Sequence, residues 1–343
     1  MKLEELNTGI SHHGQNDAGF IFHNFLVAFD STFNQSNHIK IKNFFKRNKH
    51  ITKWMVFSDY VLHDKNKPND AITFSIFSYA EDFFELGKRI DLLSFKDTKK
   101  LKRINKEFIN FIKKSEILNL SILLSKERKL DPLNEREMLK TRYKMAIMQV
   151  NTWIKNQGEK NHFRQLINNL QLILEELNKP GANLKAIRDI EIISSLAAYI
   201  TFQISQEITI DTIGWFSDRD AMLSYKIAKF SKPIMYDLTY NTYHNLMSNI
   251  NEEYKEKFVF GLPEAEGRVW YDSYNRVPDL IAATLADYNY EENICSHDKY
   301  IPVIEEILAD SENSIIYKIS FDDTDPPFSA GVISLGLKTD QDK

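Results

Sequence analysis

Three apolar segments, 24–30, 53–62 and 71–79, read as β-strands before any long helical pattern begins. That order commits the chain to a fold built on a sheet. The first segment, Phe25-Leu-Val-Ala-Phe-Asp30, is apolar on both faces, as a strand covered on both sides requires. In the third, Ile72, Phe74 and Ile76 alternate with Thr73 and Ser75, the period of two that a pleated strand imposes. Between the second and third lies His63-Asp-Lys-Asn-Lys-Pro-Asn-Asp70. Its Asn, Asp and Pro content is that of a hairpin connection, so the sheet is expected to open antiparallel.

Helical patterns follow at 80–91 and 97–115, then a strand at 117–124. The block from 134 to 206 reads as helices throughout. Phe163, Leu166, Ile167, Leu170, Ile173, Leu174 and Leu177 form one apolar stripe, and Lys179-Pro180-Gly181 ends that helix. A second helix fills 183–206. The block is far longer than a crossover between strands needs, so it reads as an insertion or cap on the sheet. Further strands are expected at 209–217, 233–240, 268–272 and 313–320, with helices at 219–230, from Val277 to Tyr288, and at 300–310. Gly331-Val-Ile-Ser-Leu-Gly-Leu337 precedes a polar end. The expected divisions are a loose lead-in at 1–20, a first sheet part at 21–130, a helical insertion at 131–207 and a second sheet part at 208–343. The fold class is therefore α/β, a mixed sheet carrying a large α-helical insertion.

Composition narrows the setting. Hydrophobic residues make up 43% of the 343, enough for a substantial core rather than disorder. A single cysteine, Cys295, excludes an intrachain disulfide and fits a reducing, cytoplasmic setting. Cys295 reads as an ordinary residue rather than a nucleophile. The acidic start Met1-Lys-Leu-Glu-Glu-Leu6 is unlike a signal peptide. No run reaches the ~18 apolar residues of a membrane helix, so no membrane association is expected. The net charge of −4 argues against a protein that coats nucleic acid, while leaving room for a local basic groove.

Three aspartates carry the chemistry. Asp30 ends the first apolar segment, Asp218 lies in Trp215-Phe-Ser-Asp-Arg-Asp220, and Asp279 lies in Val277-Pro-Asp-Leu-Ile-Ala-Ala283. A carboxylate at the rim of a buried sheet is costly to dehydrate unless something pairs with it. Several that converge make a site for hard divalent cations. Each also has a plainer reading: Asp30 as a turn residue, Asp218 as a helix N-cap, Asp279 as an acid at a helix start. Asp220, Asp272 and Asp287 are reserve ligands, with Asp287 two helical turns beyond Asp279. His12, His13 and His23 lack the spacing of a transition-metal site. Neither a phosphate-cradling glycine loop nor a nucleophile elbow occurs.

Two basic runs are candidates for nucleic-acid phosphates. One contains Lys40, Lys42, Lys46, Arg47, Lys49 and Lys53, interleaved with Phe44, Phe45 and Trp54. The other contains Lys96, Lys99, Lys100, Lys102, Arg103 and Lys106. Lys42, Lys46, Arg47, Lys100 and Arg103 are the expected contacts, and the interleaved aromatics could stack on bases. Solvated helix faces with core aromatics are the competing reading.

Four short motifs, Phe29-Asp30-Ser31, Ser217-Asp218-Arg219, Tyr271-Asp272-Ser273 and Pro278-Asp279-Leu280-Ile281-Ala282, stand in that order along the chain. In this order the sequence resembles a bacterial subfamily of the ribonuclease H-like superfamily associated with mobile elements and phage defence. The likeness spans most of the chain in order but about twenty residues in identity. It departs from the usual Asp-Glu-Ser, having Asp30-Ser31-Thr32, and from the usual Gln-Leu, having Arg276-Val277. The resemblance implies a ribonuclease H-like sheet and a nuclease that hydrolyses phosphodiesters of DNA or RNA in antiviral defence. It also implies two Mg²⁺ or Mn²⁺ ions, roughly 4 Å apart in such sites, with Asp30 bridging them and Asp218 and Asp279 completing one side each. The alternative function is a non-catalytic module on the same fold, acting through the helical insertion. A transposase or resolvase would share the metal site, but no DNA-reading domain is recognisable. The stripes of the insertion, including Phe163, Leu170, Leu174, Ile193 and Tyr199, are wide enough for part to pack on the sheet and part to form an interface with a second copy or a partner protein, and a three-helix cap with every stripe facing inward is the competing reading.

Overall fold

The computed structural model describes residues 3, 22–36, 38–80, 82–94, 96–158, 160–220, 222, 225, 233–248, 257–261, 263, 267–322 and 327–337. The lead-in with His12 and His13, most of the helix expected at 219–230 and the polar end lie outside them.

The hairpin expected from His63–Asp70 forms and sets the sheet. β1 (Lys53–Val61) pairs antiparallel with β2 (Asp70–Ser78), and β2 with β3 (Ile117–Leu124). β4 (Thr212–Ser217) lies parallel to β1, and β5 (Phe258–Gly261) parallel to β4. On the other side β8 (Ser314–Phe321) runs parallel to β3, and β9 (Phe328–Ile333) closes the edge antiparallel to it. The seven-stranded order is β5-β4-β1-β2-β3-β8-β9. A separate two-residue hairpin joins β6 (Tyr288–Asn289) to β7 (Ile294–Cys295).

Alternation along β1 divides the protein into two layers. Trp54, Val56 and Tyr60 point into one core and Phe57 into the other, with Met55 and Val61 packed against it. The first core holds α1 (Asn24–Gln35), α2 (His38–Arg47), α5 (Glu135–Gln157), α6 (Asn161–Leu177), α7 (Leu184–Glu207) and α8 (Ile234–Ser248). The second holds α3 (Phe83–Leu93), α4 (Lys106–Lys114), α9 (Asp272–Asp287) and the short turns over 301–308. Asp59 follows the parity of Phe57 and so emerges on the α9 side.

The helical insertion is present as α5 to α7, and its stripes face inward. Phe163, Leu170, Ile193 and Tyr199 are buried, and Leu174 packs against the core. The apolar area expected to form an interface is used within the chain. Among the described residues no helix is long and apolar enough to cross a membrane.

Three expected strands are not strands. Residues 24–30 are helical, because Phe25, Leu26, Phe29 and Phe33 fall on one buried face. A short apolar run is compatible with either state, and only its surroundings decide. The segment 233–240 starts α8 just after Pro233, with Ile234, Met235, Tyr236 and Leu238 all buried. Residues 268–272 lead into α9, which starts at Asp272, so Pro278 lies inside the helix rather than at its first turn.

Candidate functional site

The parallel pairing of β1 with β4 brings their C-terminal ends to one edge of the sheet. Ser58 is opposite Ser217, and the Asp218 N–H donates to the Ser58 carbonyl at 2.9 Å. Behind this edge, Trp215 Nε1 donates to Ser58 Oγ at 2.9 Å, and the Tyr60 hydroxyl lies 2.6 Å from Ser58 Oγ and 2.8 Å from Ser217 Oγ. These bonds fix the two strand ends from which Asp59 and Asp218 depart. α9 lies across β1 and β2 on the same side and carries Asp279 into contact with Asp59.

Asp59, Asp218 and Asp279 therefore form one cluster. Asp59 Oδ1 accepts the Tyr60 N–H at 2.7 Å, and the Asp59 and Asp279 carboxyls adjoin each other. Asp279 Oδ2 accepts the Thr98 N–H at 2.8 Å. All three side chains are half-buried. Burial first, then the Asp279 and Asp218 charges, push the Asp59 carboxyl well above the usual carboxylate range. Burial also raises Asp218, with Asp279 adding to the rise while the Arg219 N–H and Arg276 oppose it. Among the described residues none of the three makes an ion pair. Arg276, one turn before Asp279, pairs instead with Asp97, which also binds Lys100 at 2.6 Å.

Asp30, expected to lead this site, is not part of it. It lies on α1, which packs beside β8 and β9, strands away from β4 and on the opposite face from α9. There it is buried and satisfied: it accepts the Tyr199 hydroxyl at 2.7 Å, the Leu3 N–H at 3.0 Å and the Asn34 amide at 2.8 Å. The acid that the structure places beside Asp279 is Asp59, on the first strand of the sheet. The signal was legible as an acid inside the otherwise apolar Trp54-Met-Val-Phe-Ser-Asp-Tyr-Val61. It was hidden because the helix at 24–35 looked like the first strand.

The reserve acids stand at different distances from this cluster. Asp272 is near enough to raise Asp218, but it accepts the Val269 N–H at 3.0 Å and faces Arg219 at 3.4 Å. Asp220 accepts the Met222 N–H at 2.9 Å. Asp287 is buried and receives Lys67, Ser296 and His297, the last at 2.8 Å. Burial alone would raise its carboxyl, yet these donors hold it down to about 2. His23 bonds Glu191 at 2.8 Å in the first core, away from the cluster.

The two basic runs separate. On α2, Phe44 and Phe45 are buried with Trp54, so these aromatics belong to the core. Arg47 reaches Asn313 at 3.0 Å and Lys40 the Ser311 carbonyl at 2.8 Å, placing the run at the N-terminal end of β8. α2 packs on the other face of the sheet from α9, so Lys42, Lys46 and Arg47 do not border the cluster. The second run does border it, through Thr98 on Asp279 and Asp97 on Arg276. Lys96, Lys99, Lys100, Lys102 and Arg103 are exposed around that tether.

Among the described residues, no group of three or more His, Cys, Asp or Glu is already arranged to hold a metal ion. The donor chemistry nevertheless fits a hard cation. Carboxylates from β1, β4 and α9 crowd together without a cationic side chain paired to them, the condition under which an added divalent ion relieves repulsion. Comparisons with protein-family models, curated proteins and solved structures found no match.

Proposed function

We propose that Asp59, Asp218 and Asp279 form the divalent-metal site of a nuclease built on a ribonuclease H-like sheet. The observation that carries this reading is the meeting of three acids from β1, the parallel β4 and the late helix α9 at one sheet edge. The sub-order β3-β2-β1-β4-β5, with β2 antiparallel to both of its neighbours, supports it. So does the large helical block between β3 and β4.

In this reading the three carboxylates hold Mg²⁺ or Mn²⁺, with Asp272 as a further candidate ligand. Such ions supply an activated water and stabilise the leaving oxygen of a phosphodiester. The protein's own groups do the positioning. Thr98 N–H fixes the rotamer of Asp279, and the Ser58–Tyr60–Ser217 bonds fix the strand ends. The exposed lysines and Arg103 of segment 96–103 neutralise substrate phosphates beside the acids. DNA and RNA both fit this chemistry, and a role in antiviral defence remains part of the proposal through the sequence resemblance.

The test is cleavage of plasmid DNA, single-stranded DNA and RNA across an Mg²⁺ and Mn²⁺ series. Wild-type protein is expected to cleave at least one substrate, Asp59→Asn and Asp279→Asn to lose cleavage while still folding, and Asp30→Asn to keep it. An Asp59→Asn variant as active as wild type overturns the site. A wild type inactive on all substrates, with no metal uptake by calorimetry, overturns the function and leaves the binding module.

A further inference from the structure

A second concave region lies outside the carboxylate cluster. The β6–β7 hairpin, the turns over 301–309 and the segment 334–337 enclose a cleft of about 810 Å³, within the ~300–1,000 Å³ of small-molecule sites. Its walls are tied in place. The Tyr288 hydroxyl donates to Asn293 Oδ1 at 2.6 Å. The Asp310 N–H donates to the Leu335 carbonyl at 2.9 Å, and Asp310 Oδ2 accepts the Leu337 N–H at 3.0 Å. A preformed cleft costs a ligand little ordering free energy.

We infer that this cleft binds a small organic cation with an apolar body. Two acids, Asp298 and Glu305, line it, and among the described residues no Lys, Arg or His does. Neither acid makes an ion pair among the described residues. Three of the molecule's exposed large aliphatic side chains border this one cleft, Ile294 at 56%, Ile301 at 41% and Leu337 at 50% exposure. The rings of Tyr288 and Tyr290 complete the lining, and an aromatic face attracts a cation set over it. An anion would meet two unpaired carboxylates. A neutral apolar molecule would leave both carboxylates without a charge partner. A cation with an aliphatic or aromatic body satisfies both surfaces.

Cys295, the only cysteine of the chain, also lines the cleft and reports on its occupancy. Burial and the Asp287 charge push its thiol up to about 11, so alkylation is followed at alkaline pH. Phenethyltrimethylammonium, which keeps its charge at alkaline pH, is expected to slow chloroacetamide modification of Cys295 saturably, and the neutral 2-phenylethanol to slow it little. The double variant Asp298→Asn/Glu305→Gln, folded as judged by melting, should reduce the ammonium's apparent affinity by about tenfold. Calorimetric titration of the same two probes gives a readout independent of the thiol. Equal protection by the alcohol, no binding of the ammonium in either assay, or an unchanged affinity in the double variant overturns the inference.

Discussion

Two groups of acids in this protein differ in one respect, whether a cation is paired with them. At the start of β2, Asp70 and Asp189 flank the buried guanidinium of Arg128 at 2.6 and 2.8 Å, and Lys126 adds a bond to Asp70 at 2.7 Å. In the first core, Glu191 accepts from Arg142 at 2.9 Å. Burial alone would raise the carboxyls of Asp70 and Glu191, but their partners hold Asp70 below its ordinary value and Glu191 down to about 2. At the sheet edge, Asp59 and Asp218 shift the other way, raised by burial and by other acids. Paired acids stabilise the fold. Crowded acids without a paired cation cost stability, and a cost retained at one place points to function.

The largest effect that tests this contrast is at Arg128. Arg128→Leu leaves two buried carboxylates without their guanidinium and should cost about 3–5 kcal/mol, read as a lower urea midpoint. A change under about 1 kcal/mol would mean that Asp70 and Asp189 do not depend on it. Asp30→Ala should cost about 1–3 kcal/mol, because the Tyr199 hydroxyl and the Leu3 N–H lose a buried acceptor. Metal-dependent cleavage per folded molecule should be unchanged, and a parallel loss of both would return Asp30 to the site.

The two groups should also respond to pH with opposite signs. Glu191 has a depressed folded value, so its contribution is present above about 4.5 and is lost as pH falls toward about 2. Asp59 has a raised folded value, so its contribution is lost as pH rises above the ordinary 3.8. In EDTA at neutral pH, Asp59→Asn is therefore expected to melt higher than wild type. Added Mn²⁺ should stabilise wild type and not the variant. A variant that melts lower in EDTA would show that Asp59 is satisfied as it stands.

The smallest effect distinguishes the basic runs. Removing Lys100 and Arg103 should weaken nucleic-acid binding and lower the salt slope by about one for each residue removed. Lys42→Ala with Lys46→Ala should leave both unchanged. The reverse result would move the nucleic-acid path to the opposite face of the sheet.

The sequence by itself determined what neighbouring residues can encode. The Asn, Asp and Pro of 63–70 specified the hairpin, the alternation in 71–79 a strand, and the stripe from Phe163 to Leu177 a helix. It also singled out Asp218 and Asp279, which do meet. Phe25–Asp30 was ambiguous because six residues are too few to separate a period of 2 from one of 3.6 when nearly all are apolar. That one ambiguity is why Asp30, on a helix, reads as a strand-end acid while Asp59, on β1, is the one beside Asp279. Only the tertiary structure resolved it, since β1 lies beside β4 through pairing across a long stretch of sequence, and α1 lies on the opposite face. Local periodicity determines which elements form. Which carboxylates share a site depends on strand order and on the face each side chain takes, and a shift of one residue along β1 would have turned Asp59 into the other core.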